Sequence, residues 1–79
     1  MKVRLVGYGI AKEILNARNL DFEFNGSTIS DLKSELVQKF PDFESLRSIS
    51  FATQEEYRKD DYTIQANDEI IIIPPVSGG

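Results

Sequence analysis

The chain has 79 residues and a formal net charge of −4, a length that makes one domain with a core too small to enclose a substrate cavity as well, which disfavours a self-sufficient enzyme. It contains no cysteine and no histidine, which removes disulfides, thiolate–metal ligation, a nucleophilic thiol and the usual imidazole base. The balance of 13 Asp+Glu against 9 Lys+Arg argues against a nucleic-acid partner and fits a basic protein partner better. No apolar run approaches the ~20 residues that span a bilayer, and no signal-peptide core follows Met1-Lys2-Val3-Arg4; a soluble cytoplasmic protein with no membrane partner is expected.

Val3 to Tyr8 is short and apolar, with Val3 and Leu5 on one face and Gly7 and Gly9 bracketing its end, and reads as a strand. Ile10 to Leu15 predicts one or two helical turns ending near Asn16, with Ile10 and Ile14 on the same side at i, i+4. Leu20-Asp21-Phe22-Glu23-Phe24 alternates apolar and acidic residues, the period of a strand with one buried and one wet face. Asn25-Gly26 then turns the chain. Thr28 and Asp31 have the spacing of a capping box. They open a helix whose apolar stripe is Ile29, Leu32, Leu36 and Phe40, widened by Val37 and ended by Pro41.

Asp42 to Ser45 is expected as a loop anchored by Phe43 and Leu46. Arg47 to Ala52 follows as a third strand in alternating pattern, and Glu55 to Tyr57 as a short edge strand. Polar turns at Lys59-Asp60-Asp61 and Gln65-Ala66-Asn67-Asp68 flank Tyr62-Thr63-Ile64. Ile70 to Ile73, too short for a helix and bounded by turn residues, predicts a central strand buried on both faces. The order strand, strand, helix, strand, strand is that of an α+β roll: a mixed sheet of four to five strands packed on one main helix. With first and last strands as parallel central neighbours, the chain leaves the sheet at its edge. Residues 1–73 make this domain, and residues 74–79 a flexible extended tail.

Pro74 and Pro75 fix φ and donate no ladder hydrogen bonds, so the sheet must stop there and the chain continue in an extended, polyproline-like form. Six residues reach roughly 20 Å at full extension, enough to enter a cleft in another protein. Val76 is a plausible apolar anchor, and Gly78 and Gly79, without Cβ atoms, can thread a channel too narrow for side chains. The carboxylate of Gly79 is a poor electrophile. Converted by ATP to an acyl-adenylate, it could accept a sulfur nucleophile from a partner and become a thiocarboxylate, with no cysteine needed in this chain. The plainer reading is a frayed, flexible end, which the rigid Pro-Pro lead-in and the stop at Gly79 weaken.

Pro74-Pro75-Val76-Ser77-Gly78-Gly79 resembles the C-terminal signature of the MoaD-like small subunits of molybdopterin synthase, sulfur carriers with the ubiquitin-like β-grasp fold. The likeness extends along the chain. Tyr8-Gly9-Ile10-Ala11-Lys12-Glu13-Ile14-Leu15 resembles the family's aromatic-Gly-x-Ala-Arg-Glu-Leu segment, Thr28-Ile29-Ser30-Asp31-Leu32 its helix start, and Asn67-Asp68-Glu69-Ile70 its Gly-Asp-Glu-Val. Lys12 stands where arginine is frequent, and Asn67 replaces a glycine whose left-handed turn asparagine tolerates. The resemblance implies that Gly79 is adenylated by a ubiquitin-activating-like adenylyltransferase using ATP and converted to a thiocarboxylate. It is then inserted, through Pro74, Pro75, Val76, Ser77 and Gly78, into the active site of a large catalytic subunit in a heterotetramer. There its sulfur would pass to cyclic pyranopterin monophosphate. No cofactor would be bound by the chain itself.

Ile73, Tyr8 and Lys12 are the candidate partner contacts outside the tail, although for Tyr8, Tyr57 and Tyr62 a partly buried core position with a wet hydroxyl is the preferred reading. Asp60, Asp61, Asp68 and Glu69 read equally as a steering group for a basic partner or as ordinary solvated charge. Phe22, Phe24, Phe40 and Phe51 are assigned to the core. A carrier serving thiamin or transfer-RNA thiolation, and a non-reactive β-grasp binding module, are the alternatives.

Overall fold

The computed structural model describes residues 1–45 and 49–74. Its sheet forms from β1 (Lys2–Gly7), β2 (Asn19–Glu23), β3 (Ser50–Thr53), β4 (Glu56–Arg58) and β5 (Glu69–Ile73) in the spatial order β2-β1-β5-β3-β4. β1 and β5 run parallel, with Leu5 beside Ile70 and Gly7 beside Ile72, and the other three pairings are antiparallel. The predicted α+β roll, with first and last strands as parallel neighbours, is the one observed. The chain leaves the sheet from the C-terminal end of β5, its middle strand.

Two helices and a short 3₁₀ turn complete the domain. The first, α1 (Ile10–Leu15), ends at Asn16, whose φ of 59° is the left-handed cap that asparagine accepts readily. It buries Ala11 and Leu15, with Ile14 half-buried and Ile10 exposed, so its inner face lies one residue on from the Ile10–Ile14 pair. Gly7 permits this packing: a Cβ there would lie 3.0 Å from the Lys12 backbone nitrogen and 3.1 Å from Leu15 Cδ1.

The second helix, α2 (Ile29–Lys39), has the predicted capping box. Asp31 N–H donates to Thr28 Oγ1 at 3.3 Å and Thr28 N–H donates to Asp31 Oδ2 at 3.1 Å. Ile29, Leu32 and Leu36 are fully buried against the sheet, with Val37 and Phe40 packed beside them. Phe40 caps the helix before Pro41, and its ring meets Phe43 edge-on at 6.2 Å.

The inner face of the sheet supplies Val3 and Leu5 from β1, Phe22 from β2, Phe51 from β3 and Ile70 and Ile72 from β5. All four phenylalanines assigned to the core pack in it, Phe40 only partly buried. Side chains of this size each contribute about 1.5–3 kcal/mol when taken out of water.

Several expectations need correction. Pro41–Ser45 is a 3₁₀ helix rather than a loop; it buries Phe43, whereas Leu46 lies outside the described residues. The third strand begins at Ser50, leaving Ile49 outside it, and Phe51, Ala52 and Thr53 are buried in succession. Ala52, on the outer face, is flanked by the side chains of Ile71 and Tyr57 from the neighbouring strands, so the alternation of exposure disappears; Arg47 and Ser48 lie outside the described residues. The edge strand is shifted by one residue, to Glu56–Arg58. In β5, Ile70 and Ile72 are fully buried but Ile71 and Ile73 only half so, because the helices cover one face of the sheet.

Candidate functional site

Pro75, Val76, Ser77, Gly78 and Gly79 lie outside the described residues; the described chain ends at the root from which they start. Parallel pairing of β1 and β5 brings the C-terminal ends of both strands to the same end of the sheet. There β1 runs into Tyr8-Gly9 and β5 into Ile73-Pro74. A Cβ built on Gly9 would lie 3.5 Å from Pro74 Cγ, so the ring of the first tail residue rests beside the loop between β1 and α1.

That loop is held from within. Tyr8 C=O accepts from Ala11 N–H at 3.1 Å, Gly9 C=O accepts from Glu13 N–H at 3.3 Å, and Gly7 N–H donates to Arg18 C=O at 2.9 Å. Tyr8 is 43% exposed, and the Arg18 guanidinium carbon lies 5.3 Å from its ring centroid, a cation–π contact at a wet site. Beside it Ile10 is 42% exposed. Of the predicted contact residues, Tyr8, Ile73 and Pro74 are brought together. Lys12 is exposed in the middle of α1, its backbone over Gly7 rather than beside Ile73.

The outer face of the sheet adds residues that the sequence pattern alone does not single out. Register places Val6 beside Ile71, Ile71 beside Ala52 and Ala52 beside Tyr57, so one apolar row crosses four strands. Ile73, two residues beyond Ile71 on the same face, links the row to the tail root. Val6 and Ala52 are largely covered by their neighbours, Ile71 is half-exposed, and Tyr57 is 72% exposed. Tyr8 and Tyr57 are therefore surface residues, which corrects the core positions preferred for them from the sequence. Tyr62 is half-buried, donating through its hydroxyl to Asp68 Oδ2 at 3.1 Å. The available signal for the row is that a strand covered by helices on one side must leave alternate residues of an all-isoleucine run facing outward.

The acidic group does not act as one surface. Asp68 is 7% exposed and accepts from Gln65 N–H at 2.8 Å as well as from Tyr62, a turn-forming role. Asp60 pairs with Lys33 at 2.7 Å, an exposed contact of small energetic weight. The open hollow between Lys2, Arg4, Asp21, Asn67 and Glu69 contains the Arg4–Asp21 ion pair at 3.0 Å. Among the described residues there is no cluster suited to hold a metal ion, and no helix long and apolar enough to cross a membrane.

Comparison with known proteins gives the same picture from another direction. Residues 8–79 match the ThiS family. The molybdopterin synthase sulfur carrier subunit of Arabidopsis thaliana is 37% identical over 81 residues, spanning 100% of this chain and 84% of that protein. The crystal structure of SAMP1 from Haloferax volcanii superposes with a TM-score of 0.80 at 24% identity, covering 100% of both chains. The protein–protein complex of subunits 1 and 2 of the molybdopterin-converting factor from Helicobacter pylori contains a chain with a TM-score of 0.68 at 21% identity, again over 100% of both. The two structures are similar in fold, the ubiquitin-like β-grasp.

Proposed function

This chain belongs to the ThiS family, and we propose that it is the sulfur carrier subunit of a molybdopterin synthase, delivering sulfur from a thiocarboxylate at Gly79. The observation that carries this reading is the tail root. Pro74, beside Gly9 at the end of the middle strand and next to an apolar row that surfaces at Tyr57, is the first residue of the segment that ends in Gly78-Gly79. The relationship to a carrier subunit at 37% identity supports the choice of pathway.

The chemistry needs two partners. A carboxylate oxygen of Gly79 attacks the α-phosphorus of ATP on an adenylyltransferase, releasing pyrophosphate and leaving an acyl-adenylate. A sulfur nucleophile then adds to the carbonyl carbon and AMP departs, giving the thiocarboxylate. On a large catalytic subunit the thiocarboxylate sulfur bonds to a carbon of cyclic pyranopterin monophosphate, and water then attacks the Gly79 carbonyl carbon, breaking the acyl C–S bond, leaving the sulfur on the pterin and regenerating the carboxylate. The dithiolene product needs two sulfurs and each Gly79 carries one, so each product consumes two charged carriers. This chain binds no cofactor, and the catalytic side chains belong to the large subunit, in a heterotetramer working in the cytoplasm.

In this reading the apolar row through Val6, Ile71, Ala52 and Tyr57, together with Ile73 and Tyr8, docks on the large subunit, and Lys12 adds an ionic contact at its margin. Pro74, Pro75, Val76, Ser77 and Gly78 carry Gly79 into the active site. The occurrence of a chain of this fold in a complex of subunits 1 and 2 of a molybdopterin-converting factor supports that arrangement.

The test is reconstitution with a large subunit, an adenylyltransferase, ATP, a sulfur source and the pterin precursor. The chain should support molybdopterin formation, and a chain lengthened by one residue after Gly79 should not, although it unfolds at the same temperature. Activity retained by the lengthened chain favours the non-reactive binding module. A charged carrier that fails to convert this precursor favours a carrier for thiamin or transfer-RNA thiolation.

A further inference from the structure

Gly9 and Gly7 are both glycines beside α1, but they are required for different reasons. At Gly7 the space is closed by the Lys12 backbone and Leu15. At Gly9 the described residues leave room: a built Cβ would meet Pro74 Cγ at the ordinary contact distance of 3.5 Å and no other described residue within 4 Å. What demands glycine there is the backbone, with φ 57° and ψ −130°, a combination in which an L side chain is strained. The loop cannot relax freely, because the carbonyls of Tyr8 and Gly9 hold the first turn of α1 through Ala11 and Glu13.

On the other side of the contact, little freedom remains. The ring of Pro74 fixes its own φ, and the proline that follows confines Pro74 itself to extended backbone. Ile73 is held in β5, paired with Ser50. The surface against which the Pro74 ring rests therefore completes the definition of where the remaining five residues begin.

We propose that Gly9 is a positioning residue for the tail: its positive-φ backbone shapes the seat beside which Pro74 lies and sets the starting point from which Gly79 is presented to the partner enzymes. This inference rests on the carrier reading for its consequence, though the seat itself can be observed independently. A fixed root leaves fewer tail conformations to be lost on insertion, and misplacement of a reacting group is costly even when it is small.

The first measurement is a nuclear Overhauser contact between Gly9 Hα and the Pro74 ring protons in the full chain. Its presence is expected; its absence overturns the seat whatever the activity. The second is ATP-dependent adenylation of Gly9→Ala, Pro74→Ala and the double variant. Each single change should raise KM for the carrier about tenfold with kcat within about twofold. The double variant should show no more than the larger single effect. A synthetic chain with D-alanine at position 9, which favours positive φ, should restore the wild-type KM. Thr28→Ala, which weakens the fold at the start of α2, should leave KM unchanged. A wild-type KM in both single variants, or multiplying effects in the double, overturns the proposal; if Gly9→Ala does not fold, Pro74→Ala alone decides it. Failure of the wild-type chain to be adenylated instead sinks the carrier reading and leaves the Overhauser contact to decide the seat.

Discussion

Asp31, half-buried, holds much of the α2 N-terminus. The backbone N–H of Ser27 first, and that of Thr28 next, hold its carboxyl below its usual range. A group with a depressed folded pKa stabilises the fold above its unfolded pKa, and that contribution is lost as pH falls through the folded value. Asp31→Asn should therefore lower the melting temperature at neutral pH, and the gap to the parent chain should close in acid; a gap that persists at pH ~2 contradicts the assignment. A Cβ on Gly26 would overlap the Asp31 side chain, which explains the glycine there. Gln54 and Glu55, at φ 51° and 66°, form the two-residue turn between β3 and β4 in the conformation that Asn-Gly adopts most easily. Glu55→Gly should stabilise the chain by about 1 kcal/mol in denaturant unfolding, since it removes a strained left-handed side chain.

At the scale of elements, the two faces of β5 and its neighbours make opposite predictions. Ile72→Ala empties a fully buried position and should cost about 2–5 kcal/mol. Tyr57→Ala, on the outer face at 72% exposure, should change stability by less than about 0.5 kcal/mol. It should nevertheless weaken binding to the large subunit in calorimetric titration; unchanged affinity would remove Tyr57 from the interface. The contrast also shows what the sequence made legible. The bounds of α1 and the capping box and stripe of α2 follow from local signals: Asn16, Thr28 with Asp31, and Pro41. The parallel pairing of β1 and β5 comes only from the element order of the roll, not from any local signal. Exposure in β3 and β5 follows from neither, because it depends on which strands and helices lie alongside, and that is decided by topology. Thr53 is buried because β4 returns Arg58 to it, Nε to Oγ1 at 2.7 Å, a contact that no periodicity announces. Asp68 is internal for a similar reason, through Tyr62.

At the scale of the whole molecule, the described residues form one small domain with the tail root at the end of its middle strand. Among the described residues no group of side chains is suited to hold a metal ion; in the proposed carrier role the chemistry lies at the terminus and on the partners that act on it. The tail hexapeptide was legible in the sequence, and so was its exit from a central strand. The seat of Pro74 on Gly9 and the apolar row that meets it were not, since both arise from strands far apart in sequence. Intact-mass measurement of the full chain, after incubation with an adenylyltransferase, ATP and a sulfur source, tests the central claim most directly. The carrier account predicts replacement of one oxygen by one sulfur, located at Gly79 by fragmentation. An unchanged mass, with the same enzyme active on an established carrier, contradicts it.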